Sequence, residues 1–169
     1  MMIYIYTYIH NNMGCSSTKL AIANPLHENG LVTKTKENTN YMTFKDQTFQ
    51  AKIVYVYDGD TVHVVFKVFG SYYRWNCRIM GVDTPELHTK NVKEKEKGTM
   101  VRDEVKKYFL HKIVTIQCQE FDKYGRLLID ITMPSDVPNK NKDTLYSQWL
   151  ISNDYAYAYD GGTKKKWDL

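Results

Sequence analysis

From residue 49 onward the chain is organised by alternating apolar and polar positions. Residues 49–57 alternate, with Ile53 and Val54 adjacent, and predict a strand. The tight-turn residues Asp58-Gly59-Asp60 follow, and then a β-branched run over 61–69 predicts a second strand. Gly70-Ser71 turns the chain into a third, over 72–80. Residues 83–97, rich in lysine and glutamate, read as loop. The face shared by Val101, Val105, Tyr108 and Phe109 predicts a helix over 100–111. Alternation returns over 112–120, Asp122 to Gly125 make a turn, and 127–132 is the fifth strand. A loop over 134–143, a short helix over 144–151 carrying Leu145 and Trp149, and an extended Tyr-Ala-Tyr-Ala-Tyr segment at 155–159 complete the pattern.

Five strands in an antiparallel run, with a helix before the fourth, predict a mainly β (α+β) domain. Its expected form is a small, partly open five-stranded barrel of the OB type with two to three helices. The domain is placed at 43–169, behind a tail or tether at 1–42. Composition supports a folded domain: of 169 residues, 43% are hydrophobic and 25% charged. The net charge of +4 permits a polyanionic partner without requiring one. Cys15, Cys77 and Cys118 are odd in number and widely spaced, which excludes a disulfide framework, and two of them sit in strand-like runs suited to small buried thiols. His63, His88 and His111 lack metal-ligand spacing, so zinc is disfavoured.

The tail holds a further motif. Residues 1–12 are apolar and aromatic, too short to span a bilayer, and without the features of a secretory signal. Met13-Gly14-Cys15-Ser16-Ser17-Thr18 matches the acylation pattern M-G-x-x-x-[ST] if translation starts at Met13. Gly14 would then carry myristate and Cys15 palmitate, two signals being what stable anchoring takes. A chance match at an internal methionine is the alternative. The expected location is intracellular, either cytoplasmic or at a membrane face if Gly14 and Cys15 are acylated, and the expected state is a monomer.

The candidate chemistry lies in three segments: Asp58-Gly59-Asp60-Thr61, Arg78 through Glu86 (RIMGVDTPE), and Asp122-Lys123-Tyr124-Gly125-Arg126. Asp60 and Asp83 end strands, and a closed barrel could bring them together as oxygen ligands for a hard divalent cation. Thr84, held out of the helical region by Pro85, is the carbonyl candidate. Glu86 can serve as general base or orient an attacking water. Arg78 and Arg126 offer planar forks that match phosphate oxygens. Taken singly, each is an ordinary turn aspartate, solvated glutamate or strand-end arginine; what carries weight is their joint occurrence.

In this order the segments resemble the staphylococcal nuclease family, over about residues 48–160. That resemblance implies a five-stranded OB barrel and Ca²⁺-dependent cleavage of DNA and RNA at the P–O5′ bond, leaving 3′-phosphate ends. By position, Asp60 and Asp83 look like the calcium carboxylates, with Thr84 giving its carbonyl. Glu86 looks like the base that activates water, and Arg78 and Arg126 look like the phosphate clamps. Lys123 and Tyr124 match positions near the terminal phosphate, and Tyr157 resembles an aromatic wall for the base. Compared with relatives, the hairpin between Asp60 and Arg78 is longer, and residues 163–169 stand where a long terminal helix would continue. A non-catalytic OB-type nucleic-acid-binding module is the alternative function, since fold alone does not establish catalysis.

Overall fold

The computed structural model describes residues 30–137 and 145–167. Internal contacts separate a unit ending at Tyr41 from one beginning at Met42. In the first unit, residues 30–41 are exposed and hold one turn of 3-10 helix at Leu31–Thr33, with Asn38 bonding to Thr33 and Thr35. Gly14 and Cys15 lie outside the described residues, as does most of the 134–143 loop. None of the described helices is long and apolar enough to cross a membrane.

The second unit is built on five long strands: β1 (Thr48–Val56), β2 (Thr61–Val68), β3 (Ser71–Ile79), β5 (Ile113–Phe121) and β6 (Leu127–Thr132). Two-residue strands β4 (Val82–Asp83) and β7 (Tyr157–Ala158) pair beside them, and the helices are α1 (Val92–Phe109) and α2 (Tyr146–Ser152). The long strands close into a barrel in the order β1-β2-β3-β6-β5, with β5 returning to β1. Alternation delivers Ile53, Val64, Phe66, Cys77, Ile79, Ile116 and Ile129 to the inside, all essentially inaccessible.

Three expectations need correction. The run is not wholly antiparallel: β3 pairs with β6 in parallel, Cys77 opposite Leu127 and Ile79 opposite Ile129. Because α1 and β5 intervene, β6 re-enters the sheet from the same end as β3, which no local pattern could reveal. Nor is the barrel partly open, since the β1–β5 ladder from Thr48 to Lys52 seals it. And α1 begins eight residues early, at Val92. Its start is fixed by the Asn91 side chain, which accepts from the Lys93 and Glu94 N–H groups at 3.1 and 3.3 Å. The first turns, Lys-Glu-Lys-Glu-Lys, show no apolar stripe, because the buried residue there is Gly98.

Phe44 closes one end of the barrel. It stacks edge-on against Phe49, Phe66 and Trp75 at centroid distances of 5.7, 5.8 and 5.0 Å, and packs at a tilt on Phe121. A second aromatic cluster (Phe109, Tyr146, Trp149) fastens α1 to α2. Phe44→Ala would open a cavity among four aromatic rings, and should cost about 3–5 kcal/mol in urea unfolding. A loss below about 1 kcal/mol would contradict its role as the barrel's plug.

Candidate functional site

The turn from β1 to β2 sets the first element of the site. Asp58 accepts from the Asp60 N–H at 3.0 Å, and the Ile79 N–H donates to the Asp60 carbonyl at 2.7 Å, so the Asp60 side chain is aimed at β3. Across the ladder Thr61 faces Arg78. The guanidinium of Arg78 donates to Asp60 Oδ1 at 2.5 Å, to Asp83 Oδ1 at 3.1 Å and to the Val82 carbonyl at 3.0 Å. Asp60 also accepts from the Thr61 hydroxyl and from the backbone N–H of Thr84. Asp60, Asp83, Thr84 and Arg78 are thus one cluster, and both aspartates are almost wholly buried.

Two glycines allow the elements to approach this closely. A Cβ on Gly59 would sit 2.7 Å from both Thr84 Cγ2 and Val101 Cγ1. One on Gly98 would sit 2.6 Å from the Pro85 carbonyl oxygen, so α1 lies directly on the segment carrying Thr84 to Glu86. Tyr146 on α2 donates to the Gly59 carbonyl at 2.7 Å from a fully buried position. Asp130 on β6 holds that helix in place by accepting from the Ser147 N–H and hydroxyl. Gly98, Tyr146 and Asp130 escape sequence reading as site residues, although an aspartate flanked by isoleucines in a strand is a signal of a buried polar partner.

The cluster has an excess of acid. Burial, and then the neighbouring Asp58, push the Asp60 carboxyl up to about 7, against the pull of Arg78. Burial likewise raises Asp58. For Arg78, burial opposes the charge, but Asp60 and Asp83 together hold its pKa above the usual guanidinium value. A second cation comes from the far end of the chain: Lys164 Nζ lies 2.8 Å from Asp83 Oδ1 and donates to Glu86 Oε1. Its partial burial disfavours the ammonium, yet these two carboxylates raise its pKa above that of an ordinary lysine.

No group of three or more His, Cys, Asp or Glu residues arranged to hold a metal ion occurs among the described residues. The donor chemistry nonetheless fits a hard divalent cation, which accepts two carboxylates completed by carbonyl and water oxygens. Asp83 and Glu86 already hold a cation between them, the ammonium of Lys164.

The remaining candidates line the same groove of ≈ 1240 Å³, which includes Asp60, Arg78, Thr84, Glu86, Lys123, Tyr124 and Arg126. Arg126 lies just before Leu127, which pairs with Cys77, so it stands at the entry to β6, the strand beside that of Arg78. Its Nε donates to Asp122 Oδ2 at 2.7 Å, while Asp122 Oδ1 accepts from the Tyr124 and Arg126 N–H groups. This turn pins the base of the guanidinium, whose central carbon lies 5.6 Å from the centre of the Tyr124 ring. Tyr157 is placed differently from a groove wall: its hydroxyl donates to Asp83 Oδ2 at 2.7 Å, with the Lys165 carbonyl 3.1 Å away as the alternative acceptor, and its ring packs on Trp167 at 5.2 Å. Burial and the Asp83 hydrogen bond push this phenol up to about 12, holding it as a donor. Tyr159, two residues on, lines the groove.

Residues 76–167 match the family described as staphylococcal nuclease homologues. Over 155 residues the chain is 30% identical to an uncharacterized protein of Methanocaldococcus jannaschii, an alignment covering 79% of this chain and 71% of that protein.

Gly98 supplies a test of the packing. Mid-helix Gly→Ala ordinarily stabilises by about 0.5–1 kcal/mol. Here the added methyl meets backbone, so Gly98→Ala should lower the thermal midpoint. A rise would show that α1 does not brace the Pro85–Glu86 segment.

Proposed function

The chain belongs to the family of staphylococcal nuclease homologues, and on that premise we propose that it is a Ca²⁺-dependent endonuclease. It hydrolyses phosphodiester bonds of DNA and RNA with little sequence preference and leaves 3′-phosphate ends. The observation that supports this most is the Arg78 guanidinium bridging two buried aspartates, with Glu86 and Arg126 on the same groove.

Arg78 uses three of its five N–H donors on Asp60, Asp83 and Val82. The other two are free to fork onto a phosphate oxygen. Arg126, tied to Asp122 through Nε, offers its Nη donors to the same phosphoryl group and to the leaving oxygen. Glu86 takes a proton from water as the water oxygen attacks phosphorus opposite O5′. The P–O5′ bond then breaks, and the departing O5′ takes up a proton from solvent water, giving a 3′-phosphate and a 5′-hydroxyl. Ca²⁺, held by Asp60 and Asp83 with the Thr84 carbonyl, would supply positive charge against the phosphate as negative charge accumulates. Lys123 and Tyr124 bind an adjoining phosphate, and Tyr157 positions Asp83.

Digestion of plasmid and of RNA with Ca²⁺, then with EDTA, tests this reading, with Glu86→Gln alongside. EDTA should stop cleavage, and Glu86→Gln should slow it by roughly 10²–10⁴-fold. Arg78→Lys should not restore the rate lost in Arg78→Ala, because the fork is gone. Undiminished cutting in EDTA would refute the metal assignment. A protein that binds oligonucleotides and cuts none would instead be the non-catalytic module.

Lys164 gives a separate test. A unit charge about 4 Å away in a watery setting is worth about 1 kcal/mol. Lys164→Met should therefore tighten Ca²⁺ binding several-fold by calorimetry. Unchanged affinity would mean that the ammonium and the metal ion do not compete.

A further inference from the structure

The outward face of β1, β2 and β3 continues the groove away from Arg78 and carries no acid. From Thr48 to Val56, Thr61 to Val68 and Ser71 to Ile79, every charged residue is basic: Lys52, Lys67, Arg74 and Arg78. The pleat and the burial pattern put Arg74, Asn76 and Arg78 on one side of β3, opposite the core residues Cys77 and Ile79. The register then assembles rows across the three strands. Tyr55, His63 and Asn76 form one, and Lys52, Val65 and Arg74 the next. Lys67 faces Tyr72 beyond them, its ammonium 6.0 Å from the ring centre. The Tyr55 ring lies 5.0 Å from the His63 ring and is half-exposed. Tyr55, His63 and Asn76 line the same groove as Asp60 and Arg78.

None of Lys52, Lys67 and Arg74 has an acidic partner among the described residues, in contrast to Lys106, Lys107 and Arg102 on α1, each paired with a carboxylate of its own helix. Unneutralised cations alternating with half-exposed rings on one sheet face are complementary to a polyanion with stacking bases. Building on the nuclease reading, we propose that this face is a track for single-stranded nucleic acid, which binds the strand leading away from the cleaved phosphate. From Arg78 to Tyr72 is six residues, about 20 Å of strand. That corresponds to roughly six stacked nucleotides at about 3.4 Å each. Open rings at Tyr55 and Tyr72 favour unpaired bases, because stacking on them requires a free base face.

The test measures fluorescence anisotropy in EDTA, so that it does not depend on cleavage, using a 5′-phosphorylated dinucleotide, a single-stranded octanucleotide and the octanucleotide duplex. The octanucleotide should bind the wild-type protein at least tenfold more tightly than the dinucleotide, and more tightly than the duplex. Lys52→Ser with Arg74→Ser should shrink the octamer-to-dinucleotide ratio and lower the slope of log affinity against log salt by about 1–2. Tyr55→Ala should shrink the ratio by roughly five- to a hundredfold without changing that slope. Lys95→Ser with Lys107→Ser on α1 removes the same net charge and should leave the ratio at its wild-type value. Equal affinity for dinucleotide and octamer would overturn the track, as would tighter duplex binding or an equal loss from the α1 pair. Length-dependent binding without any cutting would uphold the track while refuting the nuclease.

Discussion

One guanidinium sets the geometry of this domain's groove. Arg78 reaches from β3 to the β1–β2 turn and to β4 at once, through Asp60, Asp83 and the Val82 carbonyl. Two buried carboxylates so close together repel, and without Arg78 one of them would have to take up a proton or leave the interior. The arginine therefore specifies where three chain segments meet. It also leaves the cluster short of positive charge, since Asp58 and Glu86 stand beside it and only Lys164 is added. A site that stays acidic after its internal pairing is one that gains from a further cation.

Around that cluster the packing is rigid where the chemistry needs it. Gly59 admits the Thr84 and Val101 side chains, and Gly98 the Pro85 backbone, to distances that a methyl group would prevent, and Tyr146 closes the turn from the core side. Asp130 carries the constraint one step further, from β6 to the start of α2 and hence to Tyr146. Glu86 differs from its neighbours: its side chain is about half-exposed and pairs with the ammonium of Lys164. The aspartates are thus held by the core, while the glutamate side chain pairs with one partly exposed lysine, a division that on the proposed reading suits fixed charge on one side and proton transfer on the other.

Much of this was legible from residue order. Alternation located all five barrel strands to within a residue or so, because each has one face on the core. The spacing of Asp60, Arg78 and Asp83 at strand ends let a barrel bring them together, and it does. Relations between distant segments were not legible. The parallel β3–β6 pairing depends on how α1 and β5 route the chain, and the first turns of α1 are hidden because a glycine occupies the buried position. Lys164 reads as a solvated terminal charge until the fold brings it to Asp83 across 81 residues of sequence.

The same physics separates the two faces of the site. On the Asp60–Asp83 side, acid exceeds base, and Arg78 holds one oxygen of each aspartate. On the β1–β3 side, base stands alone and outward, with rings between the charges. A polyanion approaching the groove is repelled by the first surface until a cation screens it, and attracted by the second without any such help. On the proposed reading, binding and bond cleavage would then be under different electrostatic control: a strand would be held on cationic sheet, and the reacting phosphate admitted only when the acidic cluster is neutralised. That separation follows from which side of each strand the charges occupy, and so from the period-two pattern with which the barrel is written.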